Sequence, residues 1–316
     1  MLRSAILAAS RSSRLEQRVT SARGTRAIVR RYVAGTDTDA AVRTAKRLAA
    51  DGLTITLDHL GEDTTDPGQA HAAADAYLEL LRALAGAGLT RRLGTSSARA
   101  EVSVKLSAVG LALPGDGEGI AFEQARRICA EAARVGSTVT VDMEDHTSTD
   151  ATLRVLAALR TEFPDTGAVL QAYLRRTAAD CRNLATPGSR VRLCKGAYDE
   201  PATVAYRRRG EVRRSYTECM DVLLAGEGYP MLATHDPYLV ERACTRAAEL
   251  GRAPTEFELQ MLYGIRPDEQ RRLARAGHTV RVYVPYGAQW YGYLMRRLAE
   301  RPANLAFFAR SLLSKG

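Results

Sequence analysis

Cysteine patterns that bind zinc or build disulfide frameworks are absent from this sequence. The five cysteines are scattered along the chain, and no two of them form a C-x-x-C pair. Zinc sites and disulfide-stapled folds need cysteines at short, regular spacings. Scattered cysteines are typical of proteins from a reducing compartment. We therefore expect a cytoplasmic protein that holds no metal through its cysteines.

Long apolar runs and base-stacking motifs are also missing. No apolar run approaches the roughly 20 residues that cross a bilayer, and the basic runs at residues 207–209 and 213–214 do not belong to aromatic-rich motifs. Nucleic acid is therefore disfavoured as a partner, because single strands need aromatic platforms for their bases. The formal net charge of +9 favours either a solvated arginine-rich surface or an acidic partner, such as anionic lipid or an acidic metabolite.

Acidic residues are scarce at the N-terminus, where Glu16 is the only one before residue 37. This Arg-, Ser- and Ala-rich composition resembles a transit peptide. Apolar residues between positions 2 and 19 also recur with helical spacing, and we favour an amphipathic helix. A second helix is predicted over residues 36–50, capped by Thr36 or Thr38. Residues 1–50 are therefore predicted to form an N-terminal helical arm.

From residue 53 onward, short β-rich runs alternate with segments of helical periodicity. The runs cover residues 53–60, 101–106, 138–143, 168–174, 190–194, 230–234, 257–262 and 279–284. Eight strands that alternate with helices predict one α/β domain over residues 51–316, a (β/α)8 TIM-like barrel. A doubly wound open sheet usually has fewer strands and a glycine-rich first turn. The glycine-rich residues 115–119 do not follow a strand in that register, so we interpret them as a flexible loop.

Polar residues end all eight predicted strands, where barrel enzymes carry their active sites. The third strand is followed by an acidic group that would suit a divalent metal, formed by Asp142, Glu144, Asp145 and His146. A metal usually needs further carboxylates on the next two strands, which instead offer Gln171, Arg192 and Lys195. The cations argue against a metal site. A metal- or phosphate-dependent barrel lyase remains the alternative enzyme.

The stretch RLCKGAY at residues 192–198 begins as a strand and ends in Lys195, Gly196 and Ala197. The two small residues leave the backbone open to close approach by a ligand. Because cations flank this opening, we expect an anion or an electron-rich ring there. A helix predicted over residues 290–299 carries Arg296 and Arg297, and paired guanidiniums of this kind clamp carboxylates.

A set of motifs along the chain is more specific than any one of these features. The motifs are LGE at 60–62, SVKLSA at 103–108, VDMED at 141–145, QAYL at 171–174, RLCKGAY at 192–198, ATHD at 233–236, QMLYG at 260–264, VYVPYG at 282–287 and YLMRRLAERPAN at 293–304. In this order they resemble the proline dehydrogenase family. The resemblance covers the chain from near residue 53 to residue 304.

The resemblance implies an FAD-dependent barrel enzyme that oxidises L-proline to Δ1-pyrroline-5-carboxylate. It implies catalytic roles for Asp142 and Arg192, and a gate at Glu62 that pairs with Arg296. The implied substrate site is Lys105, Leu262, Tyr283, Tyr293, Arg296 and Arg297. The implied flavin contacts are Met143, Gln171, Lys195, Gly196, Ala197, Thr234 and His235.

The resemblance also implies an electron acceptor and a location. Electrons are expected to pass to a membrane quinone, and the basic surface would suit peripheral contact with anionic lipid at the inner face of the membrane. Two positions depart from common family patterns. Cys194 stands where valine is frequent, and Asp199 where some members stack an aromatic ring on the cofactor.

Overall fold

Eight parallel strands form a barrel whose order follows the chain, as the sequence predicts. The computed structural model describes residues 25–61, 64–93 and 97–300. The barrel strands within these residues are β1 (Thr54–His59), β2 (Ala100–Val104), β3 (Val139–Val141), β4 (Ala168–Gln171), β5 (Arg190–Cys194), β6 (Tyr229–Ala233), β7 (Glu258–Leu262) and β8 (Thr279–Tyr286). Strands that are neighbours in sequence pair with each other, and β8 also pairs with β1.

A short contact between β3 and β4 closes the barrel. Thr140 and Gly167 form a parallel bridge, and the Gly167 amide donates to the Val139 carbonyl at 2.8 Å. A Cβ at Gly167 would lie 2.7 Å from the hydroxyl oxygen of Thr140. Only glycine therefore fits where these two strands meet.

Within the described residues, one α-helix follows each barrel strand and two precede β1. They are α1 (Thr25–Tyr32), α2 (Thr38–Ala50), α3 (Pro67–Gly86), α4 (Gly117–Arg134), α5 (Thr149–Glu162), α6 (Thr177–Leu184), α7 (Arg209–Ala225), α8 (Pro237–Glu249), α9 (Pro267–Arg275) and α10 (Trp290–Glu300). A 3-10 turn spans Ser107–Val109, and a short antiparallel pair joins Arg92–Leu93 to Ser97–Ala98.

Two helix starts differ from the prediction. Asp37, rather than a threonine, caps α2, because its carboxylate accepts from the Ala40 amide at 2.8 Å and satisfies a free N–H of the first turn. The glycine-rich residues 115–119 are only partly a loop. In that segment α4 begins at Gly117, and Asp116 accepts from the Gly119 amide at 3.1 Å. The helix expected between residues 2 and 19 lies outside the described residues.

An apolar cluster fixes α10 beside the carboxyl end of the barrel. Tyr32 and Val33, at and just after the end of α1, pack in one buried cluster with residues of α10 and of the loops after β1 and β7. The remaining members are Leu60, Ile265, Tyr291, Tyr293, Leu294 and Met295. The positions of side chains on α10 therefore depend on the segment that precedes the barrel.

The barrel interior carries charge, although barrels of this class usually fill it with branched apolar residues. Glu101, Arg190, Glu258 and Arg281 are fully buried. The Arg281 Nε atom donates to a Glu258 oxygen at 2.7 Å, and its Nη1 atom donates to the Ile55 carbonyl at 2.9 Å. Each buried charge thus has an opposite charge in contact.

We predict that Arg281→Met lowers the free energy of unfolding by about 3–5 kcal/mol, because removing one partner leaves a buried carboxylate uncompensated. Chemical denaturation of both proteins measures the difference. Arg271→Met is the matched control, since Arg271 pairs with Asp51 at 2.9 Å on the exposed surface and should change stability little. Equal, small losses in the two variants would contradict a structural role for the interior charge.

None of the helices in the described ranges combines the length and the apolar character that crossing a bilayer requires.

Candidate active site

The predicted catalytic residue Asp142 joins three strands at the carboxyl end of the barrel. One carboxylate oxygen of Asp142 accepts from the Arg192 Nη1 atom at 2.8 Å and from the Ser103 hydroxyl at 2.8 Å. The other oxygen accepts from the Tyr283 hydroxyl at 2.7 Å. Predicted site residues from β5 and β8 thus meet at the carboxylate that follows β3.

Tyr283 acts as the donor in this arrangement. Burial, together with the charges of Asp142 and Asp58, raises the pKa of Tyr283 well above its ordinary value. The phenol therefore keeps its proton at neutral pH and donates a hydrogen bond to Asp142. The Arg192 guanidinium lies 5.3 Å from the centre of the Tyr283 ring, which adds a cation–π contact.

Lys105 brings a second cation to the same place. Its Nζ atom donates to Asp58 at 2.7 Å, and it lies 3.6 Å from Asp142 and 3.5 Å from the Tyr283 hydroxyl oxygen. The prediction did not assign Asp58 to the site. Asp58 is fully buried at the end of β1. The sequence signal that could have identified Asp58 is an acid at the end of one strand with a lysine at the end of the next.

Arg192 is held from two sides and keeps its charge. Its Nη1 atom donates to Asp142, while its Nη2 atom lies 3.4 Å from a Glu101 oxygen. Burial alone would lower the pKa of Arg192, but the charges of Asp142 and Glu101 outweigh burial and raise it. Its buried Nε atom has no hydrogen-bond partner among the described residues.

In the loop after β5 the backbone of Gly196 lies against the ring of Tyr173, and the approach of a ligand to this backbone stays a prediction. Gly196 has a φ of +104°, and a Cβ there would lie 2.1 Å from a ring carbon of Tyr173. Side chains are therefore excluded at this position for both conformational and steric reasons. Next to it, the Lys195 Nζ atom donates to Asp236 at 3.0 Å, and Arg213 lies 3.2 Å from the same oxygen.

The predicted flavin-contact residues on neighbouring strands are held by backbone groups. The Gln171 amide nitrogen donates to the Glu144 carbonyl at 2.6 Å. The His235 Nε2 atom accepts from the Leu262 amide at 2.9 Å, which places the ring proton of a neutral histidine on Nδ1. The hydroxyl of Thr234 accepts from the Asp236 amide at 3.2 Å. Met143 is buried after β3.

A polar cluster that the sequence prediction missed supports the loop after β5. Glu200 is buried, and one of its oxygens accepts from the His146 amide at 3.0 Å and from the Tyr173 hydroxyl at 3.1 Å. Its other oxygen contacts the His146 ring. Because Tyr173 lies against Gly196, this cluster fixes one wall of the loop. Only the fold identifies Glu200, since it lies 54 residues from His146.

Side chains of α10 supply the second predicted part of the site. The Arg297 guanidinium lies 5.1 Å from the centre of the Tyr293 ring. Arg296 and Arg297 are half-buried, and Leu262 at the end of β7 packs against the same apolar cluster as α10. The predicted gate residue Glu62 and the side chain of Glu300 lie outside the described residues.

The acidic group after β3 is not arranged around a cation site. In the part of the chain that the structure describes, no three His, Cys, Asp or Glu side chains are placed to hold a metal ion. Asp142 instead binds Arg192, Ser103 and Tyr283, and both oxygens of Glu144 accept from Ser107.

Comparisons with known proteins identify the family of this chain. A family model described as "Proline dehydrogenase" matches residues 41–310. The chain is 38% identical over 315 residues to proline dehydrogenase 1 of Bacillus subtilis, covering 100% of both chains. It is 38% identical over 288 residues to the proline dehydrogenase of Deinococcus radiodurans, covering 90% of each.

A solved structure has the same fold. Proline utilization A (PutA) from Bdellovibrio bacteriovorus superposes with a TM-score of 0.80 at 26% sequence identity, over 89% of this chain and 33% of that chain. The present chain thus spans about a third of the length of this PutA. The family match and the full-length relatives show that the chain belongs to the proline dehydrogenase family.

Proposed function

We propose that the protein oxidises L-proline to Δ1-pyrroline-5-carboxylate with FAD as the hydride acceptor, the first step of proline degradation. The observation that carries this proposal is the junction at Asp142, where Arg192, Tyr283 and Lys105 converge at the barrel mouth. The curated relatives at 38% identity are named proline dehydrogenases, which supports the substrate.

The chain's own groups fit a flavin. FAD, when bound, supplies the hydride acceptor that no side chain provides. The Nε atom of Arg192 is buried and has no hydrogen-bond partner among the described residues, so it can donate to a bound group. Lys195, Gly196 and Ala197 would hold the cofactor with Met143, Gln171, Thr234 and His235. Arg192 would place a positive charge beside the ring that gains electrons.

Lys105 and the arginines of α10 would anchor the substrate. Lys105, Arg296 and Arg297 provide positive charge for the proline carboxylate, and charge-assisted bonds of this kind fix orientation as well as affinity. Leu262, Tyr283 and Tyr293 would form the walls around the pyrrolidine ring. Holding the carboxylate on one side sets the position of the carbon that loses the hydride.

Asp142 orients its neighbours in this proposal. Its two oxygens already accept from Arg192, Ser103 and Tyr283, so the carboxylate is engaged in holding the guanidinium and the phenol in place. Glu62 would add a gate by pairing with Arg296 when substrate is bound.

A membrane quinone is the proposed electron acceptor. The basic residues 207–209 and 213–214 stand at the start of α7, and positive surface charge supports peripheral contact with anionic lipid at the cytoplasmic face. Residues 51–316 would form the catalytic barrel, and residues 1–50 its helical arm.

The absorbance spectrum of the purified protein tests the proposal directly. A flavin spectrum that bleaches when L-proline is added without oxygen is the expected result. A protein that is colourless after reconstitution with FAD, or whose flavin is unaffected by proline, would overturn it.

Arg297→Met should raise the KM for proline at least tenfold while FAD stays bound. Losing a charge-assisted hydrogen bond costs about 1.5–3 kcal/mol, and this residue contacts substrate rather than cofactor in our proposal. Steady-state kinetics and the flavin content of the variant measure both effects. Arg272→Met is the control, because that exposed arginine pairs with Glu269 on α9. Loss of flavin with an unchanged KM would refute the assignment.

Arg192→Met should lower both the midpoint potential of the bound flavin and kcat. A cation beside the ring favours the reduced form, and methionine removes the charge while keeping much of the volume. Arg192→Lys should retain more of the potential, since it keeps the charge without the planar fork. Potentiometry that gives the same midpoint for wild type and Arg192→Met would exclude this role.

Tyr283 should make the enzyme prefer proline to 4-hydroxyproline. An aromatic ring against the substrate leaves little room for an added hydroxyl, and burying that hydroxyl unpaired costs about 1–3 kcal/mol, or about ten- to a hundredfold in kcat/KM. Tyr283→Ser should reduce the preference, whereas Tyr283→Phe keeps the ring and should maintain it. If both variants discriminate as the wild type does, Tyr283 is not the specificity residue.

A further inference from the structure

A continuous series of buried charges of alternating sign links the interior of the barrel to the mouth. The successive nitrogen–oxygen distances are 2.7 Å for Glu258–Arg281, 3.7 Å for Arg281–Glu101, 3.4 Å for Glu101–Arg192, 2.8 Å for Arg192–Asp142, 3.6 Å for Asp142–Lys105 and 2.7 Å for Lys105–Asp58. We call these residues, with Arg190, the interior charge series. The proposed function uses only the end of it that lies at the mouth.

Glu101 stands at the branch point of the series. Its carboxylate contacts Arg190 at 2.5 Å, in addition to Arg281 and Arg192. Burial alone would raise the pKa of Glu101, but the three guanidinium charges, that of Arg190 first, outweigh burial and hold the pKa well below its usual range. Glu101 is therefore a carboxylate at neutral pH, although no part of it reaches solvent.

Threonine hydroxyls fix the direction in which this carboxylate points. Thr56 donates to Oε1 at 2.8 Å, and Thr138 donates to Oε2 at 2.9 Å. The Nη2 atom of Arg192 faces the Oε1 atom of Glu101 at 3.4 Å and the hydroxyl oxygen of Thr56 at 3.5 Å. The guanidinium is thus held between Glu101 on one side and Asp142 on the other.

We propose that Glu101 is a positioning residue that acts through Arg192, holding the guanidinium from the barrel interior and offsetting part of the charge that Arg192 presents at the mouth. An anion 3.4 Å from a guanidinium in the poorly screened interior reduces the positive potential around it. The inference rests on the proposed place of Arg192 beside the flavin. Glu101 would then set how strongly the site favours electron uptake.

Glu101→Gln tests this, because glutamine keeps the shape and an acceptor oxygen but removes the charge. The midpoint potential of the bound flavin should rise, shifting its redox equilibrium about tenfold toward the reduced form, or about 30 mV for two electrons. The KM for proline should stay within about twofold, since Glu101 does not contact substrate. Potentiometry and steady-state kinetics supply the two readouts.

Glu258→Gln is the matched control. It removes the same charge from an equally buried carboxylate that lies two ion contacts further from Arg192 along the series. The proposal expects a clearly smaller rise in potential in this variant. Equal shifts in the two variants would show that only the net interior charge matters, and an unchanged potential in Glu101→Gln would show that Glu101 has a structural role alone. Both results would overturn the proposal.

A second variant covers the case in which Glu101→Gln does not fold. Glu101→Asp retains the anion that the three guanidiniums need but withdraws it from Arg192 by one methylene group. The potential should rise in the same direction by a smaller amount, and no rise would count against the proposal. Failure of the proposed function is distinguishable, because the wild type would then show no flavin that proline bleaches, whereas failure here leaves both that bleaching and the Arg192→Met effect intact.

Discussion

Every buried charge in this barrel needs an opposite charge in contact, and that constraint organises the molecule. A buried ion pair is not in itself a source of stability, since well-packed apolar side chains often serve as well. We therefore interpret the interior charge series as a set of ion pairs that hold the charged residues at the barrel mouth in position. At the mouth, Arg192 pairs with Asp142 and Glu101, and Lys105 pairs with Asp58. Glu101 is itself compensated by further arginines in the interior.

The site has two supports of different physical kinds. Lys105, Asp142, Arg192 and Tyr283 are fixed by charged hydrogen bonds between strands. The arginines of α10 are instead carried by a helix that packs through an apolar cluster against the segment before the barrel. A proline molecule in the proposed pose would lie between the two supports, so its binding depends on both the rigid barrel and the docking of α10.

The departures from family patterns have local explanations in this chain. Asp199, which stands where some members stack an aromatic ring on the cofactor, lies 3.4 Å from Arg207 in an exposed ion pair. Polar groups thus replace an aromatic surface beside the loop of Gly196. Cys194, in place of the frequent valine, ends β5 with its thiol 3.6 Å from the Leu170 carbonyl, so a side chain of similar size is retained between two neighbouring strands.

The sequence by itself determined the eight strands, their alternation with helices and the family, because strand periodicity and ordered motifs are local properties. It also placed Asp142, Arg192, Lys105 and Tyr283 at strand ends, whereas the structure has Arg192 and Tyr283 within β5 and β8. It did not predict that Asp58 pairs with Lys105, or that Glu101 contacts Arg190 across 89 positions of the chain. Those contacts exist only after the barrel closes, since closure and strand register decide which inward-facing charges meet.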